Sequence, residues 1–135
     1  MNYCYYDYSK STVCKVKEDQ KEYIPSRSMN SFLNHECLKH GSTLQGRIDF
    51  FRKRMKIKKY TPILISENPI TIVFPIESNT SSSNIWINYY SIKQVVYNEK
   101  TCTLHFHDGT CLTTNHPNRI KNILRIIQMF LLTAA

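Results

Sequence analysis

Glycine is scarce in this chain, with three residues in 135, and none belongs to a phosphate-cradling glycine loop. No nucleophile signature or paired carboxylate arrangement accompanies the histidines and cysteines, so enzymatic activity is not expected. Long apolar runs are also missing. The most apolar segment, 120–132, is interrupted by Lys121, Arg125 and Gln128 and falls short of the roughly 20 residues that cross a bilayer. Neither a transmembrane span nor a membrane partner is expected. The amino terminus, MNYCYYDYSK, lacks the basic start and apolar core of a secretory signal, which points to a cytoplasmic protein. In that reducing compartment the five cysteines, an odd number, would remain thiols and serve mainly as small buried apolar residues.

Acidic charge is the other deficit: ten Asp and Glu face eighteen Lys and Arg, for a net charge of +8. Such a balance favours polyanionic partners, nucleic acid or an acidic membrane surface. The excess is concentrated. Residues 47–59 hold Arg47, Arg52, Lys53, Arg54, Lys56, Lys58 and Lys59 against Asp49 alone. A 41% hydrophobic and 12% aromatic content, including nine tyrosines, marks a chain that folds rather than a disordered polycation. Its length suits one domain, 1–135.

The pattern along the chain predicts an α+β fold, a strand-rich single domain of antiparallel hairpins with a basic helix near the middle and a C-terminal amphipathic helix. The first forty residues alternate loosely, as in Cys4–Tyr8 and Val13–Lys17, like short half-solvated strands. After Gly41, the spacing of Leu44, Ile48, Phe51 and Met55 predicts a helix capped by Ser42 or Thr43. On it the basic side chains would face outward. Residues 63–65 and 70–74 around Asn68-Pro69 read as a hairpin. The stretch SNTSSSN at 78–84 reads as a flexible surface loop that buries nothing. Strands follow at 85–87 and 95–97, then a hairpin of 102–106 and 111–113 around Asp108-Gly109. Asn115 is the expected cap of a last helix with Pro117 in its first turn and an apolar stripe from Ile120 to Leu131.

The run RKRMKIKK at 52–59 has two readings: a solvated face that aids solubility, or a surface that neutralises phosphates and releases counterions. On the second, Arg47, Arg52 and Arg54 suit base or minor-groove contact because the guanidinium fork enters narrow A/T-rich grooves. Lys53, Lys56, Lys58 and Lys59 would then contact phosphates. Two Cys/His groups, His35, Cys37 and His40, and Cys102, His105, His107 and Cys111, carry zinc-ligand chemistry. Their spacing matches no usual finger or ribbon, and strand alternation puts Cys102 on the face opposite His105 and His107. A small zinc protein is therefore an alternative, and no cofactor or metal is expected. Cys37 with His40, or Cys111 with His116, is a weak thiol–base pairing, and Trp86 reads as core.

The order of motifs resembles the competence transcription factor (ComK) family. Cys37 followed by Gly41-Ser42-Thr43-Leu44-Gln45-Gly46-Arg47 is similar to the family's Cys and Gly-Ser-Ser-x-x-Gly-Arg element. Tyr60-Thr61-Pro62-Ile63-Leu64-Ile65 with Pro69, Ile72-Val73-Phe74-Pro75, the Ser-rich loop and Ile85-Trp86-Ile87 continue the likeness, as do Leu104 to Thr110 and the closing helix. Ile76 and Asn88 depart from the pattern, and the first 36 residues show little that matches. The resemblance implies an activator of DNA-uptake genes that binds double-stranded DNA at paired A/T-rich boxes through the minor groove. It further implies a homo-oligomer, a dimer or tetramer on DNA, associated with the nucleoid. The chain stops at Thr133-Ala134-Ala135 without the family's longer tail, which engages an adaptor, and this puts adaptor–protease control in doubt. A shortened paralogue that pairs with a full-length member through its last helix is the alternative of a different class.

Overall fold

The computed structural model describes residues 1–133; Ala134 and Ala135 lie outside the described residues. Strands β1 (Tyr3–Asp7), β2 (Thr12–Lys17) and β3 (Gln20–Pro25) form an antiparallel meander, followed by helices α1 (Met29–Leu38) and α2 (Leu44–Met55). Strands β4 (Ile63–Glu67), β5 (Ile70–Pro75) and β6 (Ile85–Asn88) come next, with one 3-10 turn at Tyr89–Ser91. Then come β7 (Ile92–Tyr97), β8 (Thr101–Phe106), β9 (Cys111–Asn115) and α3 (Pro117–Thr133). Six strands pair in the order β3-β2-β1-β6-β5-β4 and three in the order β7-β8-β9. The fold is α+β and its strand pairs are antiparallel.

The larger sheet is buried on both faces along β6, β5 and β4, while edge strand β3 has no buried residue, and the period of two along the strands divides the core. On one face Cys4, Val13, Ile63, Ile65, Val73 and Trp86 pack against Phe32, Leu33 and Cys37 of α1 and Leu44 of α2. On the other, Leu64, Ile72, Phe74 and Ile87 meet Cys102, Leu104 and Phe106 of β8 and Ile120, Ile123, Ile127 and Phe130 of α3. Trp86 is thus a core residue, and the apolar stripe of α3 is spent inside the chain's own core, which argues against its use for pairing with another family member. Cys4, Cys14, Cys37 and Cys102 are buried, as expected of small apolar residues, whereas Cys111 is exposed. Burial pushes the Cys4 thiol up to about 12, so it stays protonated.

Three local expectations differ from the structure. Residues 29–38 are helical, not extended. Ser28 caps α1 by accepting from the Ser31 amide at 3.0 Å, but Asn30, Ser31, Asn34 and His35 are weak helix formers that obscure the pattern. The cap of α3 is His116 rather than Asn115, which ends β9. The His116 carbonyl accepts from Ile120 N at 3.2 Å, its φ is 63°, and Pro117 occupies the first helical position. The polar loop 78–84 is pinned rather than free. Asn84 is buried, accepts from the Ile76 and Glu77 amides at 3.1 and 2.9 Å, and donates to the Ser78 carbonyl at 2.7 Å.

The β8–β9 hairpin forms around Asp108 and Gly109, whose φ of 90° suits glycine. Asp108 also ties the two sheets together: one carboxylate oxygen accepts from the Asn2 side chain at 2.6 Å and the Glu18 amide at 2.8 Å. The other accepts from Thr110 N at 2.9 Å and Thr110 Oγ1 at 2.6 Å. These donors, the Thr110 hydroxyl first, hold the carboxyl well below the usual range. A depressed carboxyl contributes stability that is present above the unfolded value of about 4 and lost as pH falls through the folded one. Thermal melts from pH 7 downward should therefore show a decline below about pH 4. Asp108→Asn should melt lower at pH 7 and decline less on acidification; superimposable curves would contradict the role of Asp108 in tying the sheets together.

Candidate nucleic-acid interface

Helix α2 starts where its cap can form. Thr43 Oγ1 accepts from Gly46 N at 2.9 Å, and the Leu44 amide donates to Asn34 Oδ1 at 2.9 Å. A Cβ on Gly46 would lie 3.0 Å from Ser42 Oγ and 3.1 Å from Thr43 Oγ1, so glycine leaves room for the cap. Of the expected stripe, Leu44 and Phe51 are buried and Ile48 and Met55 partly so. Phe51 stacks on Phe130 of α3, ring centroids 4.5 Å apart and 19° from parallel.

The arginines of the helix do not share one outward face. Arg47 is buried, with Nη1 3.4 Å from Glu67 Oε1 and Nη2 donating to the His40 carbonyl at 3.2 Å. Its Nε has no partner among the described residues. Three residues from Leu44 and four from Phe51, Arg47 is on the side that packs, which corrects its expected outward placement. Arg52 is half-buried and its Nε donates to Thr61 Oγ1 at 2.8 Å. It lines a cleft of about 420 Å³ of mixed character, with Asn30, Asn34, Gln45 and Asn79 on the polar side and Leu44, Ile48 and Trp86 on the apolar one. Arg54 is exposed, donates to the Thr133 carbonyl, and lies 5.9 Å from the Phe130 ring centroid.

Beyond these anchors the charge is concentrated and exposed. Lys53, Arg54, Lys56, Lys58 and Lys59 all face solvent, and among the described residues no carboxylate pairs with any of them within 4.0 Å. Cations in a last helical turn also complement the helix dipole, by about 0.3–1 kcal/mol each, so part of this arrangement serves the helix itself. The chain then reverses. Lys56 adopts φ 55° and the Ile57 amide donates back to the Arg52 carbonyl at 3.2 Å, a Schellman ending without its usual glycine. Tyr60, at φ 50°, lies under the Arg119 guanidinium at 4.3 Å. Thr61 exchanges two hydrogen bonds with Asn79, at 2.8 and 3.0 Å. The basic segment is therefore held at both ends. Thr61, Glu67 and Asn79 escaped the sequence reading because they lie 9 to 20 positions from the groups they hold, beyond any local periodicity.

The Cys/His groups do not converge: among the described residues no three His, Cys, Asp or Glu side chains are placed to share a metal ion. His105 lies opposite Cys111 across β8–β9, while Cys102 faces the core and contacts Thr114 Oγ1 at 3.3 Å. Desolvation raises the Cys37 thiol, the reverse of what an activated nucleophile needs. Among the described residues no helix is long and apolar enough to cross a membrane.

A protein-family model described as "ComK protein" matches residues 3–124. The match takes in the N-terminal meander, where the sequence showed little likeness. No protein of curated function and no solved structure matches the chain.

Two substitutions separate anchor from surface. Arg47→Ala removes a buried donor set and should cost roughly 1–3 kcal/mol in urea unfolding; an unchanged midpoint would contradict its role as an anchor. Lys56→Gly relieves a left-handed conformation and should stabilise by roughly 1 kcal/mol, read as a higher midpoint, whereas a lower one would mean that the lysine side chain stabilises the turn.

Proposed function

The chain belongs to the ComK family, a family of competence transcription factors rather than enzymes, and on that premise we propose that it binds A/T-rich double-stranded DNA through the end of α2. The observation that carries this reading is the group of five exposed cations, Lys53, Arg54, Lys56, Lys58 and Lys59, on a segment clamped by Thr61 and by the Phe51–Phe130 stack. Lysines there neutralise phosphates and release counterions, which supplies affinity without regard to sequence. Arg54 is the guanidinium free to move from the Thr133 carbonyl into a narrow minor groove, where A/T tracts concentrate negative potential. Arg52 stands at the inner edge of this surface, and Arg47 acts as its anchor.

On this reading the chain acts as one DNA-binding unit in the cytoplasm, on the nucleoid, and activates DNA-uptake genes. Sequence preference comes from groove width and deformability rather than base-edge hydrogen bonds. Binding as a dimer or tetramer fits a surface this small, because five cationic contacts from one copy give modest affinity at physiological salt.

Titration against A/T-rich and G/C-rich duplexes at several salt concentrations tests the reading. Five cations neutralising duplex charge correspond to a log–log salt slope of about −4.5 per protomer, and the A/T duplex should bind tighter. Lys53→Ala with Arg54→Ala should reduce the slope by about 2. An unaltered slope in that double variant would remove the α2 end from the contact, and equal binding of both duplexes would reduce the protein to a non-specific binder.

A further inference from the structure

A second cationic surface lies where the edge strand β7 and the Tyr89–Ser91 turn meet the outer side of α3. The groove has a volume of about 600 Å³, within the range that admits small organic groups. Tyr89, Tyr90 and Tyr97 line it together with Lys93, Lys121 and Arg125, and among the described residues no carboxylate does. α3 carries no acidic residue along its whole length. Among the described residues none of the three cations is paired with a carboxylate. Tyr90 and Tyr97 remain 40% and 39% exposed, a large solvent contact for aromatic rings, and Lys121 Nζ sits 5.6 Å from the Tyr97 centroid.

Two plainer explanations account for less. A lysine on an edge strand deters strand pairing with another chain, but Lys93 alone would do that, without the tyrosines or the two cations of α3. A second copy docked here across a two-fold axis would face Lys93, Lys121 and Arg125 with the same charges. A polyanion is the complementary occupant. Between its two forms the tyrosines decide: bases of a duplex are already stacked on each other, whereas unpaired bases offer free faces to aromatic rings.

We propose that this groove binds single-stranded nucleic acid, with phosphates on Lys93, Lys121 and Arg125 and bases against Tyr90 and Tyr97. The site stands apart from the α2 end and does not depend on the duplex reading. Fluorescence anisotropy of the full chain with a short oligothymidylate, and with an abasic phosphodiester of equal length, tests it. The oligothymidylate should bind about tenfold tighter or more, the contribution of one stacked base. Tyr97→Leu should erase most of that difference, and Lys121→Gln with Arg125→Gln should weaken both probes, circular dichroism confirming that each variant is folded. Lys53→Ala with Arg54→Ala should leave oligothymidylate binding within twofold of the parent while it weakens duplex binding. The proposal is overturned by equal binding of the two probes, by absence of oligothymidylate binding, or by groove variants that lose only duplex binding. Concentration-dependent dimers abolished by the groove variants would overturn it too, by assigning the face to a second copy.

Discussion

Helix α2 is fixed on three sides, by Phe51 against Phe130, by Arg47 against Glu67 and the His40 carbonyl, and by Arg52 against Thr61. Those contacts leave its last turn one direction in which to point. Charge on a mobile tail would be averaged over many orientations, whereas here five exposed cations fall within residues 53–59 on a backbone that is held. The strained turn at Lys56 and Tyr60 is part of that arrangement. Two non-glycine residues in the left-handed region, Lys56 and Tyr60, turn the chain back at the two ends of the segment that carries Lys58 and Lys59.

The anchoring in turn depends on strands β4, β5 and β6, which are covered on both faces. Strand β4, at the edge of the larger sheet, supplies Ile63 and Ile65 to one core and Leu64 to the other. α2 rests along that edge, contributing Leu44 to the first core and Phe51 to the second. Asn79 and Asn84 fasten the polar loop beside it, and Asp108 fastens the N-terminal meander to the β8–β9 hairpin. Polar groups bridging segments far apart in sequence thus align elements that apolar packing alone would leave free to slide.

Much of this was legible from residue spacing. The stripe of Leu44, Ile48, Phe51 and Met55, the hairpins at Asn68-Pro69 and Asp108-Gly109, and the amphipathic last helix follow from periods of 3.6 and 2. What escaped was set by partners distant in sequence. Arg47 reads as one more cation until Glu67 and His40 are seen beside it, and the serine-rich loop reads as flexible until Asn84 is seen to bond its own base. Helix α1 was hidden because its buried residues, Phe32, Leu33 and Cys37, make too narrow a stripe among poor helix formers. The tyrosine groove was hidden for a related reason: Lys93 and Tyr97 of β7 meet Lys121 and Arg125 of α3 only in three dimensions.

The central claim is that DNA meets the protein at the clamped, cationic end of α2. Amide chemical-shift changes on titrating isotopically labelled protein with an A/T-rich duplex, resolved residue by residue, test it most directly. The largest changes are expected at residues 53–59, with those of the solvent-facing side of β8–β9 near zero. Residues 53–59 unmoved at saturation, with the changes gathered on another face, would contradict the account.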